Sequence, residues 1–365
     1  MSEPRHRLFL FWLLGLLALP AVLSVVDVVP NDVRIESRRE SIGFDSSRLL
    51  DTDYYAAVDT EVAERFPGRG AGQWLQVQLD YELFGEVVVD SVIRGPGDWL
   101  HRTESVEPPC SNLARIASEV EGREPIDAVM FAVFAPKAEV VPRSVYDDAG
   151  AACVHAERDA WRERTRVAPD YVDVNDAIEA ADAAGTETFL EQDGHWTQAG
   201  RLIAAEQLIE SLAPGLWASA EVSEIPEVVR DMDVLRSMGL RRSGLLRDRE
   251  VSLTGEVDVE VVASVEAQSA YFPLAQISRS TAATAIEGTT WLLGDSQSGY
   301  LLYELEPFFE ELVFVNWIQV VLDGSVLESL PSPDRAIFTA VEHNAAGLFA
   351  SGITDAVIAR LDSDD

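Results

Sequence analysis

The sequence predicts an α/β protein, a largely parallel sheet packed between helices as a three-layer α/β/α domain. Three observations lead there. Ala128 to Phe134 (AVMFAVF) is an unbroken apolar run, as expected of a strand buried on both faces. Shorter runs at Trp291–Leu293, Leu312–Val315 and Ala336–Ala340 recur later in the chain, separated by stretches with helical periodicity. Strands that alternate with helices demand crossovers, and crossovers place helices on the sheet faces.

The elements follow in chain order. Residues 8–26 (LFLFWLLGLLALPAVLSVV) carry no charge and approach the roughly 20 residues that a bilayer-spanning helix needs. Arg5, His6 and Arg7 precede the run, and Asp27 and Asp32 follow it. That asymmetry predicts an N-terminus inside the cytoplasm and the remainder outside. An uncleaved single-pass anchor is favoured over a cleaved signal peptide, because the run is long and no A-x-A-like site follows it. The expected division is an anchor over 1–30, a juxtamembrane stalk and helical lead-in over 31–65, and one domain over 66–365.

Leu49 to Glu86 reads as mostly helical, broken at FPGRG from Phe66, and Val87 to Ile93 is β-rich. A helix is expected through Ala151 to Arg166, then a short strand at Tyr171–Val174. Gln198 to Leu212 predicts an amphipathic helix capped by Thr197, with Leu202, Ala205, Leu208, Ile209 and Leu212 on one face. A further helix should span about Ser298 to Glu306, and the last should lie within Ala345 to Leu361. Between them, 213–287 breaks the rhythm. Val251, Leu253, Val257, Val259 and Val261 alternate with polar residues, which predicts a β-rich antiparallel insertion.

Composition excludes some partners. Among 365 residues, 63 are acidic and 28 basic, a net charge of −35. Such a surface repels phosphates, so no nucleic-acid partner is expected. Lys137 is the single lysine, and an acidic, lysine-poor surface suits a protein kept soluble in high salt. Cys110 and Cys153 are the two cysteines, compatible with one disulfide or with two small buried side chains. Without a neighbouring histidine cluster they make no metal site, and neither a metal nor an organic cofactor is expected.

Two segments carry chemistry. In TTWLLGDSQSGYLLYEL an apolar strand runs into Gly294, Asp295 and Ser296, and a helix starts just beyond. A serine there rises above the carboxyl edge of the sheet, where open α/β sheets place ligands, beside a helix N-terminus able to stabilise an oxyanion. In FLEQDGHWTQAGRL, Asp193 and His195 sit two apart on the loop before the amphipathic helix. In an extended loop such side chains point the same way, so the carboxylate can orient the imidazole and fix its tautomer. Either segment alone is also ordinary turn and cap chemistry. Together they are the parts of a Ser–His–Asp acyl-transfer triad, and triads occur in every chain order.

With these motifs the chain resembles the SGNH-hydrolase-like O-acetyltransferases of alginate acetylation, the AlgJ/AlgX type. Asp193-Gly194-His195-Trp196 ahead of Gly294-Asp295-Ser296 matches that family's circularly permuted motif order. FPGR at Phe66, LFGE at Leu83, GPGDWL at Gly95, Pro136-Lys137 with Tyr146, YVDV at Tyr171 and SPDRAIFTAVEH from Ser332 match too, so the similarity spans Phe66 to His343. Gln297 departs from it, standing where the family often has an aromatic residue, and the aspartate usual between proline and lysine is replaced, leaving Ala135-Pro136-Lys137.

The resemblance implies Ser296 as nucleophile, His195 as base and Asp193 as its orienting acid. It implies an acceptor hydroxyl on a polysaccharide, and an acetyl donor supplied by a separate membrane-bound acyltransferase. Gly294, Asn316 and Lys137 are further candidates for lining the site, with the Ser296 N–H as oxyanion donor. Of the other histidines, His6 falls in the cytoplasmic tail, His155 on a charged helix and His101 in a turn-rich segment, while His343 has no Asp two residues before it. An esterase that hands the acyl group to water, or a silent surface scaffold, would keep the same fold.

Overall fold

The computed structural model describes residues 75–87, 89–103, 128–141, 170–224, 228–238, 243–246, 249–253, 258–265, 273–321, 325–350 and 352–361, with a few isolated positions besides. The expected anchor and stalk, the FPGR segment, Cys110, Tyr146 and Cys153 lie outside these residues. Among the described residues, no helix is long and apolar enough to cross a membrane.

The chain divides into two compact units, one of Met1–Val92 with Leu235–Arg242, the other of Ile93–Val234 with Ser243–Asp365. In the first, the helical turns end in a π-helix at Asp80–Phe84, closed by Gly85 in the left-handed region at φ 68°. The second holds the sheet and the residues singled out above.

Strands β1 (Val92–Arg94) and β2 (Leu100–Arg102) pair with each other, and β3 (Val129–Phe134) enters the main sheet. Then come β4 (Ala220–Glu224), β5 (Val228–Asp231), β6 (Ser243–Leu246) and β7 (Arg249–Leu253), followed by β8 (Val259–Val265) and β9 (Ala275–Ser280). Finally β10 (Ile286–Gly294), β11 (Phe309–Asn316) and β12 (Arg335–Val341) complete the set. The main sheet has the order β3-β12-β10-β11-β9-β8. Its first four members are parallel, whereas β9 and β8 add on antiparallel.

Side-chain alternation divides the core into two layers. Met130, Ala132, Phe134, Leu292, Leu312, Phe314 and Ile337 pack on one face, with Leu208 and Ile209 of the Gln198–Leu212 helix and Leu301, Leu302 and Leu305 of the Ser296–Leu305 helix. Phe131, Val133, Trp291, Leu293, Val313, Val315 and Phe338 pack on the other, with Ala345 and Leu348 of the Glu342–Ala350 helix and Val357 of the Ile353–Leu361 helix. Because successive residues of a strand face opposite ways, a strand covered on both sides must be apolar throughout. That is why AVMFAVF has no polar member. The sheet is therefore sandwiched between helices, a mixed α/β fold.

The structure differs from expectation in several places; in the stretch expected to be β-rich, Val87–Ile93, the strand begins only at Val92. Tyr171–Val174 is not a strand; it makes a single parallel bridge, Phe131 with Tyr171. The C-terminal helix is two helices, separated at Gly352, whose φ of 74° lies in the left-handed region that favours glycine. The Gln198–Leu212 helix keeps its predicted bounds and its Thr197 cap, whose hydroxyl accepts from Gly200 N–H at 3.3 Å. Its buried side also takes in Arg201 and Gln198, which the apolar periodicity does not mark. In the irregular region, β4 pairs with β7 and β5 with β6, both antiparallel, and β8 and β9 extend the main sheet.

Candidate active site

The carboxyl ends of β10 and β11 stand side by side, with Gly294 in register with Asn316. Just past Gly294 the chain turns into the Ser296–Leu305 helix, and Asp295 caps it by accepting from the N–H groups of Gln297 (3.1 Å) and Ser298 (3.5 Å). The second oxygen of Asp295 accepts from Val341 N–H at 2.8 Å and from Asn344 Nδ2 at 3.0 Å, which ties the turn to the end of β12. Asp295 is thus wholly spent on holding the turn. Ser296, by contrast, is exposed, although its neighbours from Trp291 to Gly299 are all buried.

Gly294 makes this turn possible. A Cβ there would meet the side chain of Ser298 and come within 2.8 Å of Thr339 Oγ1. Gly294 is absent from the lining of the cleft, so its part is close packing beneath the serine.

The loop before the Gln198–Leu212 helix brings up the other two residues. Asp193 Oδ1 lies 2.6 Å from His195 Nδ1 and also accepts His195 N–H at 2.9 Å. On the far side of the ring, His195 Nε2 lies 3.0 Å from Ser296 Oγ. Asp193 is fully buried and His195 nearly so. The Tyr300 ring meets the imidazole edge-on, with centroids 4.6 Å apart. The structure therefore brings Asp193, His195 and Ser296 together in one continuous hydrogen-bonded line.

A second carboxylate, marked by no local motif, joins them. Asp233 Oδ1 accepts Gly194 N–H at 2.7 Å, its own N–H donates to Asp193 Oδ2 at 3.1 Å, and its Oδ2 is 3.8 Å from His195 Nδ1. Arg102 pairs with it at 3.1 Å. Burial pushes the Asp233 carboxyl above its ordinary range; His195 and Arg102 pull it down, and Asp193 pushes it further up. No short motif surrounds Asp233 in MDVLRS, and only the fold carries it to the loop.

Asp193, His195 and Asp233 bring candidate ligand atoms within 4.8 Å of one another. The Nδ1 of His195 is taken by Asp193, whose two oxygens also hold backbone N–H groups. A metal would have to displace those bonds.

These residues open onto a cleft of about 260 Å³ lined by His101, Arg102, Lys137, His195, Ser296 and Gln297 among others. Gln297 is 2% exposed, and its Nε2 has no hydrogen-bond partner among the described residues. Asn316 is buried at the sheet edge and is not among the lining residues. Lys137 lines the cleft, as expected, but is buried. It is 3% exposed, and burial pushes its ammonium down to about 7 against the pull of Asp193, Asp233 and Glu191. His101, which the sequence places in a turn-rich segment, is buried and lines the cleft. His343 falls in the Glu342–Ala350 helix.

The chain is similar to known proteins over part of its length. The probable alginate O-acetylase AlgJ of Pseudomonas fluorescens is 30% identical over 192 residues, 48% of each chain. That of Azotobacter vinelandii is 27% identical over 183 residues, covering 47% of this chain and 46% of its own. The chain thus spans about half the length of the curated relatives it matches. Among solved structures, the O-acetyltransferase domain of Pseudomonas putida AlgJ aligns with a TM-score of 0.44 at 14% identity, over 70% of this chain and 92% of that one. No family model matches. The chain resembles AlgJ-type alginate O-acetylases.

Proposed function

We propose that the chain is an extracytoplasmic serine O-acetyltransferase of SGNH type with permuted motif order, held at the membrane by residues 8–26. It moves an acetyl group onto a hydroxyl of a cell-surface or exopolysaccharide. The observation that carries this reading is the hydrogen-bonded line from Asp193 through His195 to Ser296, with steps of 2.6 and 3.0 Å. Ordinary helix capping would not align a buried carboxylate, both nitrogens of one imidazole and an exposed serine. The resemblance to alginate O-acetylases supports the choice of acetyl group and polysaccharide.

In this mechanism Ser296 Oγ attacks the carbonyl carbon of the acetyl donor, and His195 Nε2 takes the serine proton. Asp193 holds Nδ1–H, so that Nε2 starts as the acceptor, and it stabilises the imidazolium that forms. Negative charge gathers on the former carbonyl oxygen. The Ser296 N–H, at the N-terminus of its helix, is one donor to it. Gln297 Nε2, a buried donor without a partner on a residue that lines the cleft, is the second. Collapse breaks the donor's ester bond, and the leaving oxygen takes the proton from His195. The acetyl-serine then reacts in reverse with a sugar hydroxyl, which His195 deprotonates, and Ser296 is regenerated. The acetyl donor is delivered by a separate membrane-bound acyltransferase.

The test is intact-protein mass after incubation with 4-nitrophenyl acetate. One acetyl adduct, mapped to Ser296 and missing from Ser296→Ala, is the expected result. Transfer of that acetyl to an added acidic oligosaccharide, faster than its loss to water, separates a transferase from an esterase. Identical behaviour of wild type and variant would end the proposal.

A further inference from the structure

Lys137 is the one lysine in a chain whose other 27 basic residues are arginine, the 28 of the composition less one. A chain so biased keeps its lysine where it is nearly sealed from water. Its Nζ donates to the carbonyl oxygens of Leu100 (2.8 Å), Leu190 (2.7 Å), Glu191 (2.7 Å) and Asp193 (3.0 Å). The Trp99 ring lies 4.9 Å away on another side.

Three of those carbonyls belong to the loop that presents Asp193 and His195, and the fourth to β2. Main-chain bonds also close that loop: Leu190 N–H to His195 O at 3.3 Å, Thr197 N–H to Thr188 O at 2.9 Å and Leu100 N–H to Glu191 O at 2.8 Å. A compact ammonium can sit among converging carbonyls; a planar guanidinium, longer and with its donors in one fork, cannot occupy the same point. With four acceptors within 3.0 Å, Nζ is committed to the backbone and is not a substrate contact. Lys137 itself is fixed from below. It follows β3 by way of Ala135 and Pro136, and Asn175 clamps that exit, accepting Ala135 N–H and donating to Val133 O, both at 2.8 Å.

We infer that Lys137 is a positioning residue, whose ammonium gathers the carbonyls of Leu190, Glu191 and Asp193 and thereby sets the turn in which Asp193 meets His195. Its place in acyl transfer rests on the function proposed above; its hold on the loop does not. The sheet thus reaches the acid and base through a lysine at the end of β3, and reaches the nucleophile through the turn at the end of β10.

The experiment uses the full chain with Lys137→Met, Lys137→Arg and Lys137→Ala. Two quantities are read: the rate of Ser296 acetylation by 4-nitrophenyl acetate, and the far-downfield proton resonance of the His195–Asp193 hydrogen bond. Acetylation should slow on the order of 100-fold in every variant, the arginine included, as for a reacting group displaced by about 1 Å. The downfield proton should vanish while circular dichroism stays native. Ethylammonium should restore both in Lys137→Ala, where guanidinium should not. Methionine or arginine variants that keep the resonance and acetylate within threefold of wild type would overturn the inference. If a variant does not fold alone, refolding in ethylammonium must return the resonance with the fold, and a fold regained without it counts against the inference. Should wild type form no adduct, the functional reading fails, and the resonance alone still decides Lys137.

Discussion

His195 Nε2 lies 3.0 Å from Ser296 Oγ across 101 positions of sequence, and the helices that follow the two residues are joined by a buried ion pair. Arg201 Nε, one turn into the helix after His195, meets Glu304 Oε1 in the helix after Ser296 at 2.8 Å, with side chains 7% and 2% exposed. Gln198 Nε2 reaches the same oxygen at 3.4 Å. Buried pairs of this kind add little net stability, but breaking one strands a charge in the core at a cost of about 3–5 kcal/mol. The pair therefore fixes the register of one helix against the other.

The turn beneath Ser296 depends on Gly294. An added methyl would run into Ser298, whose Oγ is 2.7 Å from Thr339 Oγ1 inside a packed sheet edge. Those atoms have no free direction in which to give way. Gly294→Ala should lose about 1–3 kcal/mol of stability, the usual range for overpacking. Urea unfolding of the variant against wild type measures it. An unchanged midpoint would mean that the strand end is looser than described.

Gln297 separates stability from chemistry. A buried donor without a partner costs about 1–3 kcal/mol, and leucine removes the donor at similar volume. Gln297→Leu should therefore melt at or above the wild-type temperature. If Nε2 serves the oxyanion, the same variant should acetylate Ser296 about 100-fold more slowly, as expected for one such donor. A purely structural glutamine predicts the opposite pairing, lower melting with an unchanged rate. Calorimetry and a single-turnover assay on one protein preparation distinguish them.

What the sequence made legible follows periodicity and local chemistry. AVMFAVF and its three companions declared buried parallel strands, and Thr197 declared a helix start, because each signal lies within a few adjacent residues. Asp193, His195 and Ser296 were legible for the same reason. Asp233 was not: it reaches Gly194 from 39 residues away, through a region whose pairing no local pattern specifies. Lys137 could be placed at the end of a strand but not in its cage, since the four carbonyls carry no side-chain signature. Gln297 looked like a lapse from the family pattern, and burial turns it into a candidate donor. Gly352, a single residue in an apolar stretch, was too slight a signal to split the last helix.

Asp233 predicts a dependence on pH with a definite sign. Burial, as the largest cause, holds its carboxyl above the ordinary value of 3.8 in the folded protein, Asp193 adding to the effect and His195 and Arg102 opposing it. Between 3.8 and the raised folded value, the folded state keeps a proton that the unfolded state has shed. Stability contributed by Asp233 is thus complete below 3.8 and is lost as pH rises through the folded value. Asp233→Asn carries no charge at any pH and keeps an oxygen to accept Gly194 N–H. Its stability relative to wild type should accordingly climb as pH is raised from about 3.5 towards neutrality, then level off. Urea midpoints of the two proteins at half-unit pH steps trace that curve. A difference that stays flat, or falls with pH, would show that Asp233 is held ionised by Arg102 and His195, and that its contacts favour the charge rather than suffer it.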